Sequence, residues 1–270
     1  MMETSIWQPM IDRFDRLKAA GRRVDFWLRD DDAVEPTPAL DRLIDLADRF
    51  SVPITLAVIP GHTGGELSHY LARHDDIGIA VHGWTHQNHA TPLEKRQELG
   101  GHRPREIVLD ELGRGYSHLK ALHPSSFVPL LVPPWNRIDP GLIEGLPGIG
   151  FMALSVFGPE RKGRSNPDGA KTMKSGSIAS AFPRDGLSLI NTHVDVMDWH
   201  GTRGCRDHRE IIQDIIRRLD EMNVDEEAVG ILTHHLVHDE SVWEFLSRLF
   251  ELTAVHPACR WRRVSDLIAR

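Results

Sequence analysis

Short apolar runs that alternate with segments of helical period constrain this chain more than any other feature. The runs fall at 24–28, 52–59, 77–81, 127–132, 150–155, 187–192 and 229–233, and each is rich in Val, Ile, Leu or Phe. That is the pattern of a strand buried on both faces. Between them lie helices with readable ends. Thr37-Pro38 places a cap and a first-turn proline ahead of Leu40, Leu43, Ile44, Ala47 and Phe50, one apolar stripe. Segments 107–122, 206–222 and 240–252 repeat the spacing, and 264–269 forms a last helix. Strands that alternate with helices pair in parallel through crossover connections. About seven such units predict an α/β fold closed, or nearly closed, into a barrel, with a doubly wound open sheet as the second architecture.

No internal repeat and no domain-sized linker interrupts the pattern, so residues 1–270 are expected to form a single domain. One stretch breaks the rhythm: 158–186 is rich in Gly, Ser, Pro and Lys, and reads as a functional lid or as disorder. A net charge of −7 favours neither nucleic acid nor an anionic membrane as partner. No apolar run approaches the length needed to span a bilayer. Residues 1–23 carry scattered charges and no continuous apolar stretch of the secretory kind, and two distant cysteines suggest reduced thiols; both point to the cytoplasm.

In parallel α/β folds, reactive groups collect where strands end at their carboxyl termini. Here those positions carry Arg29-Asp30-Asp31-Asp32, then His82-Gly83-Trp84-Thr85-His86, then Pro133-Pro134-Trp135-Asn136-Arg137. The last two sets are His193 through Trp199 and His234-His235. His82 and His86 are four apart, so on a helical turn they share a face and can grip one ion. Two imidazoles and one carboxylate make a catalytic metal site with a position left open for water. Three adjacent aspartates disfavour one another's ionisation, and a cation relieves the repulsion. One of Asp31 and Asp32 then serves as ligand and leaves the other free as a base, whereas Asp30 suits a capping or solvent-facing role. Of His234 and His235, one ring faces the site and the other packs away from it. Trp84, Trp135 and Trp199 are candidates to stack on a sugar face or simply to fill the barrel mouth.

In order and residue type these segments resemble the polysaccharide deacetylase family, carbohydrate esterase family 4. Its paired-aspartate motif resembles Asp31-Asp32, which implies Asp31 as catalytic base and Asp32 as metal ligand. Its His-[Ser/Thr]-x-x-His motif resembles HGWTH, implying His82 and His86 as the other ligands, with Gly83 where the family has a hydroxyl residue. Its Arg-x-Pro-aromatic motif resembles VPPW and assigns the Trp135 N–H to an oxyanion; Val132 stands in place of the arginine that pairs with the base, and Arg29 and Arg137 are candidates to replace it. DVMDW matches the segment that gives Asp195 the task of orienting and charging an acid histidine, and Leu232-Thr233-His234 implies His234 as that general acid. The resemblance further implies a distorted (β/α) barrel of about seven strands, a divalent metal such as zinc, and an N-acetylated sugar or similar small molecule as substrate. Two rival readings are a non-catalytic binder on the same fold, favoured by the missing arginine, and a metal-dependent phosphoesterase.

Overall fold

Every one of the seven apolar runs is a strand in the computed structural model, which describes residues 5–160 and 186–269. They are β1 (Val24–Ala33), β2 (Ile54–Val58), β3 (Ile77–Val81), β4 (Phe127–Leu131), β5 (Ala153–Leu154), β6 (Ser188–Leu189) and β8 (Ala228–Thr233). Two short strands escape the sequence pattern, β7 (Val194–Asp195) and β9 (Cys259–Trp261), because two or three residues carry no readable period. All pairings are parallel, in the order β6-β5-β4-β3-β2-β1-β8-β7. β9 lies beside the start of β1, ahead of the point where Leu28 begins to pair with Ile54 of β2. The expected barrel is therefore present, though incomplete, and with more strands than the seven runs. Much of the unusual 158–186 stretch, residues 161–185, lies outside the described residues.

Chain connectivity forces the curl. Laid flat, eight strands about 4.8 Å apart would separate their edges by about 34 Å. Yet β6 ends at Leu189 and β7 begins at Val194, a step of at most about 18 Å of extended chain. An open sheet cannot satisfy both lengths. Side chains stitch the gap: the Trp27 indole donates to the Asn191 carbonyl (3.2 Å), and the Asn191 amide reaches Gly158 O (2.8 Å) while accepting from Val156 N–H (3.0 Å). His193, counted among the strand-end candidates, belongs to this seam. Its Nδ1 accepts from Gly230 N–H (3.0 Å), so in the neutral ring its Nε2–H faces Glu160 (3.1 Å), which also pairs with Arg218 (3.0 Å).

Helices cover the outside of the sheet: α1 (Gln8–Ala19), α2 (Pro38–Phe50), α3 (Gly65–Leu71), α4 (Arg105–Leu122), α5 (Pro140–Ile143), α6 (Leu146–Ile149), α7 (His208–Glu221), α8 (Glu240–Val255) and α9 (Val264–Ile268). The Thr37 hydroxyl accepts from Leu40 N–H (3.1 Å), as the cap before α2 predicts. No helix among the described residues is long and apolar enough to cross a membrane. Alternation along β1 then defines two cores. Phe26 and Leu28 belong to the large outer core shared with the helices, whereas Trp27 packs in a smaller cluster with Ala57, Ala80, Leu130 and Ala153. The alanines leave the room that the indole fills. Arg29 and Asp31 follow Trp27 on the same side of the strand, at about 3.3 Å of rise per residue toward its carboxyl end.

Gly230 faces Trp27 across the β1–β8 ladder, and a Cβ there would lie 2.5 Å from both the Trp27 indole nitrogen and the Asn191 carbonyl. Gly230→Ala is expected to destabilise the fold by about 2–3 kcal/mol. Urea unfolding checks this as a lowered midpoint at constant slope; an unchanged midpoint would mean the seam is not packed against β8.

Candidate functional site

The three aspartates lie within β1 rather than beyond it, and one irregularity sorts them. A regular strand would send Asp30 and Asp32 to one face and Asp31 to the other. Here Asp31 pairs with Ala57 and Ala33 with Val58, so Asp32 is an extra, bulged residue at φ +76°. Aspartate tolerates that left-handed backbone better than most residues. As a result Asp31 and Asp32 line the same cavity at the barrel mouth. Asp30 turns the other way, fully buried, accepting from the Thr233 hydroxyl (2.7 Å) and His235 N–H (2.8 Å) and pairing with the His235 ring. Burial opposes the Asp30 charge, but His235 outweighs it and holds the carboxyl below its ordinary range. Asp30 is thus neither a cap nor exposed.

His82 and His86 converge on Asp32, though not along a helical turn as their spacing suggests. The HGWTH segment is a loop, with Gly83 at φ +62° and His86 at φ +57°. The buried Glu98 carboxylate organises it, accepting from the N–H groups of Trp84 (3.2 Å), Thr85 (2.8 Å) and His86 (3.2 Å). Because a carbonyl can only accept, the 2.9 Å contact to Val132 O places a proton on His82 Nδ1. In the neutral ring that leaves the Nε2 lone pair free, 3.1 Å from Asp32 Oδ1; His86 Nε2 lies 3.4 Å from the same oxygen. The three donor atoms lie within 4.8 Å of one another, a ligand set suited to a borderline-soft divalent ion.

Electrostatics agree with a cation at this point. Burial works against the Asp32 charge, but the hydrogen bond with His82 and the neighbouring rings hold its carboxyl far below the usual range. Burial and His82 together push His86 down to about 4. For His82 burial is again opposed, by the Asp32 hydrogen bond and the two carboxylates, and its pKa rises. The cluster draws positive charge, which a proton or a metal ion can supply.

The missing arginine is answered from within β1. Arg29 is fully buried and grips Asp31 with two parallel bonds, Nε to Oδ1 at 2.9 Å and a terminal nitrogen to Oδ2 at 3.0 Å. Its remaining donors reach the Ser155 hydroxyl (2.8 Å) and Asn136 Oδ1 (2.7 Å). Arg137, the other candidate, donates to the Arg96 carbonyl instead (2.8 Å).

Opposite stands His234, its Nε2 4.0 Å from Asp31 Oδ2, while His235 packs away against Asp30. Asp195 shares the cavity but makes no hydrogen bond to His234. Its oxygens accept from Met197 N–H (2.9 Å) and the Trp199 indole (2.8 Å), and the Trp199 ring stands edge-on against His234 at 4.6 Å. Burial raises the Asp195 pKa. Trp135 sits in a turn with φ +53°, its ring 4.2 Å from that of His86. Trp135 and Trp199 line the cavity; Trp84 does not, and its ring meets Arg114.

No protein-family model matches the sequence, and no curated protein does. Solved structures do match. A Mycobacterium smegmatis protein assigned to the polysaccharide deacetylases superposes over 92% of this chain and 90% of its own, with a TM-score of 0.63 at 18% identity. This is the polysaccharide deacetylase fold. A family 4 acetyl xylan esterase from Clostridium thermocellum, solved with a cobalt ion, matches 91% of this chain and 90% of its own (TM-score 0.52, 12% identity). A mutant CE4 family pseudoenzyme with restored enzymatic activity matches 91% of this chain and 68% of its own (TM-score 0.57, 12% identity).

Against the deacetylase pattern, both departures have a physical reason. At Gly83 a Cβ would lie 2.1 Å from the Glu98 carboxylate and 2.6 Å from Pro134, so the hydroxyl residue of the motif has no room. Val132 stands where the motif has arginine, and the guanidinium that meets Asp31 comes from Arg29 instead. Glu98 and Ser155 were not expected as site residues, and Asn136 was placed at a strand end without a role; an acid in a polar loop and two small polar residues carry no spacing signal. Gly83→Ser is expected to destabilise the fold by about 1–3 kcal/mol by displacing Glu98 and Pro134, read as a lowered urea midpoint. An unchanged midpoint would show that Glu98 does not shape the HGWTH loop.

Proposed function

We propose that the protein is a metal-dependent hydrolase that removes an N-acetyl or similar acyl group from the amide of a sugar or another small molecule. The observation that carries this reading is the convergence of Asp32, His82 and His86 beside an arginine-held Asp31, with His234 across the same cavity. Zinc fits the donor set and, when bound, would polarise the acyl carbonyl and acidify a water. The chain's own residues then divide the work. Asp31 takes a proton from the attacking water, whose oxygen bonds to the acyl carbon. The Trp135 N–H faces the charge that develops on the carbonyl oxygen. His234 delivers a proton to the nitrogen as the C–N bond breaks, which yields a carboxylate and an amine. Asp195 orients His234 through the Trp199 indole rather than by direct contact.

Arg29 bears on the rival reading of a non-catalytic binder, because the base keeps a guanidinium partner despite Val132. A phosphoesterase with two metals needs a carboxylate to bridge them. Among the described residues only one three-ligand cluster exists, and Asp31 beside it is already engaged by Arg29.

The primary test is release of acetate and amine from a panel of small acetamido compounds by the zinc-loaded protein. Asp31→Asn should keep its metal by elemental analysis yet lose turnover by about 10²-fold or more, whereas His82→Ala should lose both. A fully active Asp31→Asn would remove Asp31 as base. Arg29→Lys keeps a charge but not the two-pronged grip. It should lower kcat about tenfold at wild-type metal content, and an unchanged kcat would reduce Arg29 to a packing residue.

A further inference from the structure

The chain carries a net charge of −7, yet the mouth of its cavity is basic. Lys95, Arg96, Arg137 and Arg203 all line a space of about 850 Å³ above the catalytic floor, and among the described residues none of the four forms an ion pair. The acids that line the same space are Asp31, Asp32 and Asp195, and each is already engaged: by Arg29, by His82 and His86, and by Met197 N–H with the Trp199 indole. Among the described residues the rim therefore presents one sign of charge with no internal counter-ion. Arg137 sharpens the point. The residue is half-buried, the one acceptor its guanidinium meets among the described residues is the Arg96 carbonyl, and burial pushes its pKa down. A cation held partly out of water without an anion is costly to maintain, unless a ligand supplies the anion.

A neutral acetamido sugar has no use for such a rim. Guanidinium groups match carboxylate and phosphate oxygens in pairs, and a one-signed cleft concentrates ligands of the opposite sign. The exposed faces of Phe157 (47% exposed) and Trp199 (41% exposed) add apolar surface on which a ring can rest. On the amide-hydrolase reading above, we infer that the substrate is an N-acylated small molecule bearing an anionic group, carboxylate or phosphate, which seats against Lys95, Arg96, Arg137 and Arg203 while its amide lies over Asp31 and Asp32.

Binding and turnover are measured separately. The zinc-loaded Asp31→Asn protein is titrated calorimetrically with N-acetylglucosamine, its 6-phosphate, and N-acetylmuramic acid, its carboxylate-bearing ether. At least one anionic probe should bind tenfold or more tighter than the neutral sugar, and which of the two wins identifies the anion. The advantage should shrink between about 0.05 and 0.5 M salt, as the screening length shortens. It should vanish when Arg137→Gln and Arg203→Gln are added. Equal affinity for charged and neutral probes, no binding by either anion, or a preference that survives the double substitution would each overturn the inference. Wild-type turnover on the same probes tells the two readings apart. Equal hydrolysis of neutral and anionic amides sinks the anionic-substrate inference and leaves the hydrolase standing; anion-selective binding with no amine released overturns the hydrolase, and the substrate inference with it, and leaves only an anion-binding rim.

Discussion

A carboxylate inside a barrel needs a cation beside it, and in this chain the cation comes from two residues back on the same strand. Arg29 and Asp31 face the barrel interior because alternate residues of β1 do so, and their separation lets the guanidinium fork meet both carboxylate oxygens. Removing one member of such a buried pair leaves the other uncompensated, at a cost of several kcal/mol. The pair therefore belongs to the fold as much as to the site. Ser155 from beyond β5 and Asn136 from beyond β4 complete the Arg29 hydrogen bonds, tying three strand ends together around one charge.

Adjacent to that pair, a single bulge turns a run of three like residues into three different groups. Asp30 becomes a buried structural partner of His235, Asp31 a carboxylate held by arginine, and Asp32 a carboxylate under two imidazoles. Chemistry is identical along the run; environment differs. For Asp30 and Asp32 burial works against the charge, and the histidine partners of each outweigh it. The Asp32, His82 and His86 cluster shows the same economy, since the carbonyl that fixes the His82 tautomer belongs to Val132, the residue standing where the deacetylase motif has its arginine.

The barrel's incompleteness bears on the site as well. Where a ladder between β6 and β7 would close the ring, the seam is held by Asn191, His193, Glu160 and Arg218. Chemistry is kept to one end of the sheet and closure to the gap, so the two sets of histidines do different jobs. His193 is a clasp, whereas His82, His86 and His234 line the cavity.

From residues alone, the run-and-helix rhythm determined the parallel α/β architecture, because burial on both faces leaves an unmistakable apolar signature. The order of the strand-end segments likewise placed Asp31, Asp32, His82, His86 and His234 on one rim. Short strands β7 and β9 escaped, being too brief to show a period. Tertiary structure decided the rest. Whether Arg29 or Arg137 would fill the place left by Val132 depends on which face of β1 points inward and how far each side chain reaches, and neither is written in spacing. Which of His234 and His235 meets the cavity turns on the backbone after β8. The Asp32 bulge, the Glu98 cradle and the basic rim arise where segments distant in sequence meet, which no local pattern records.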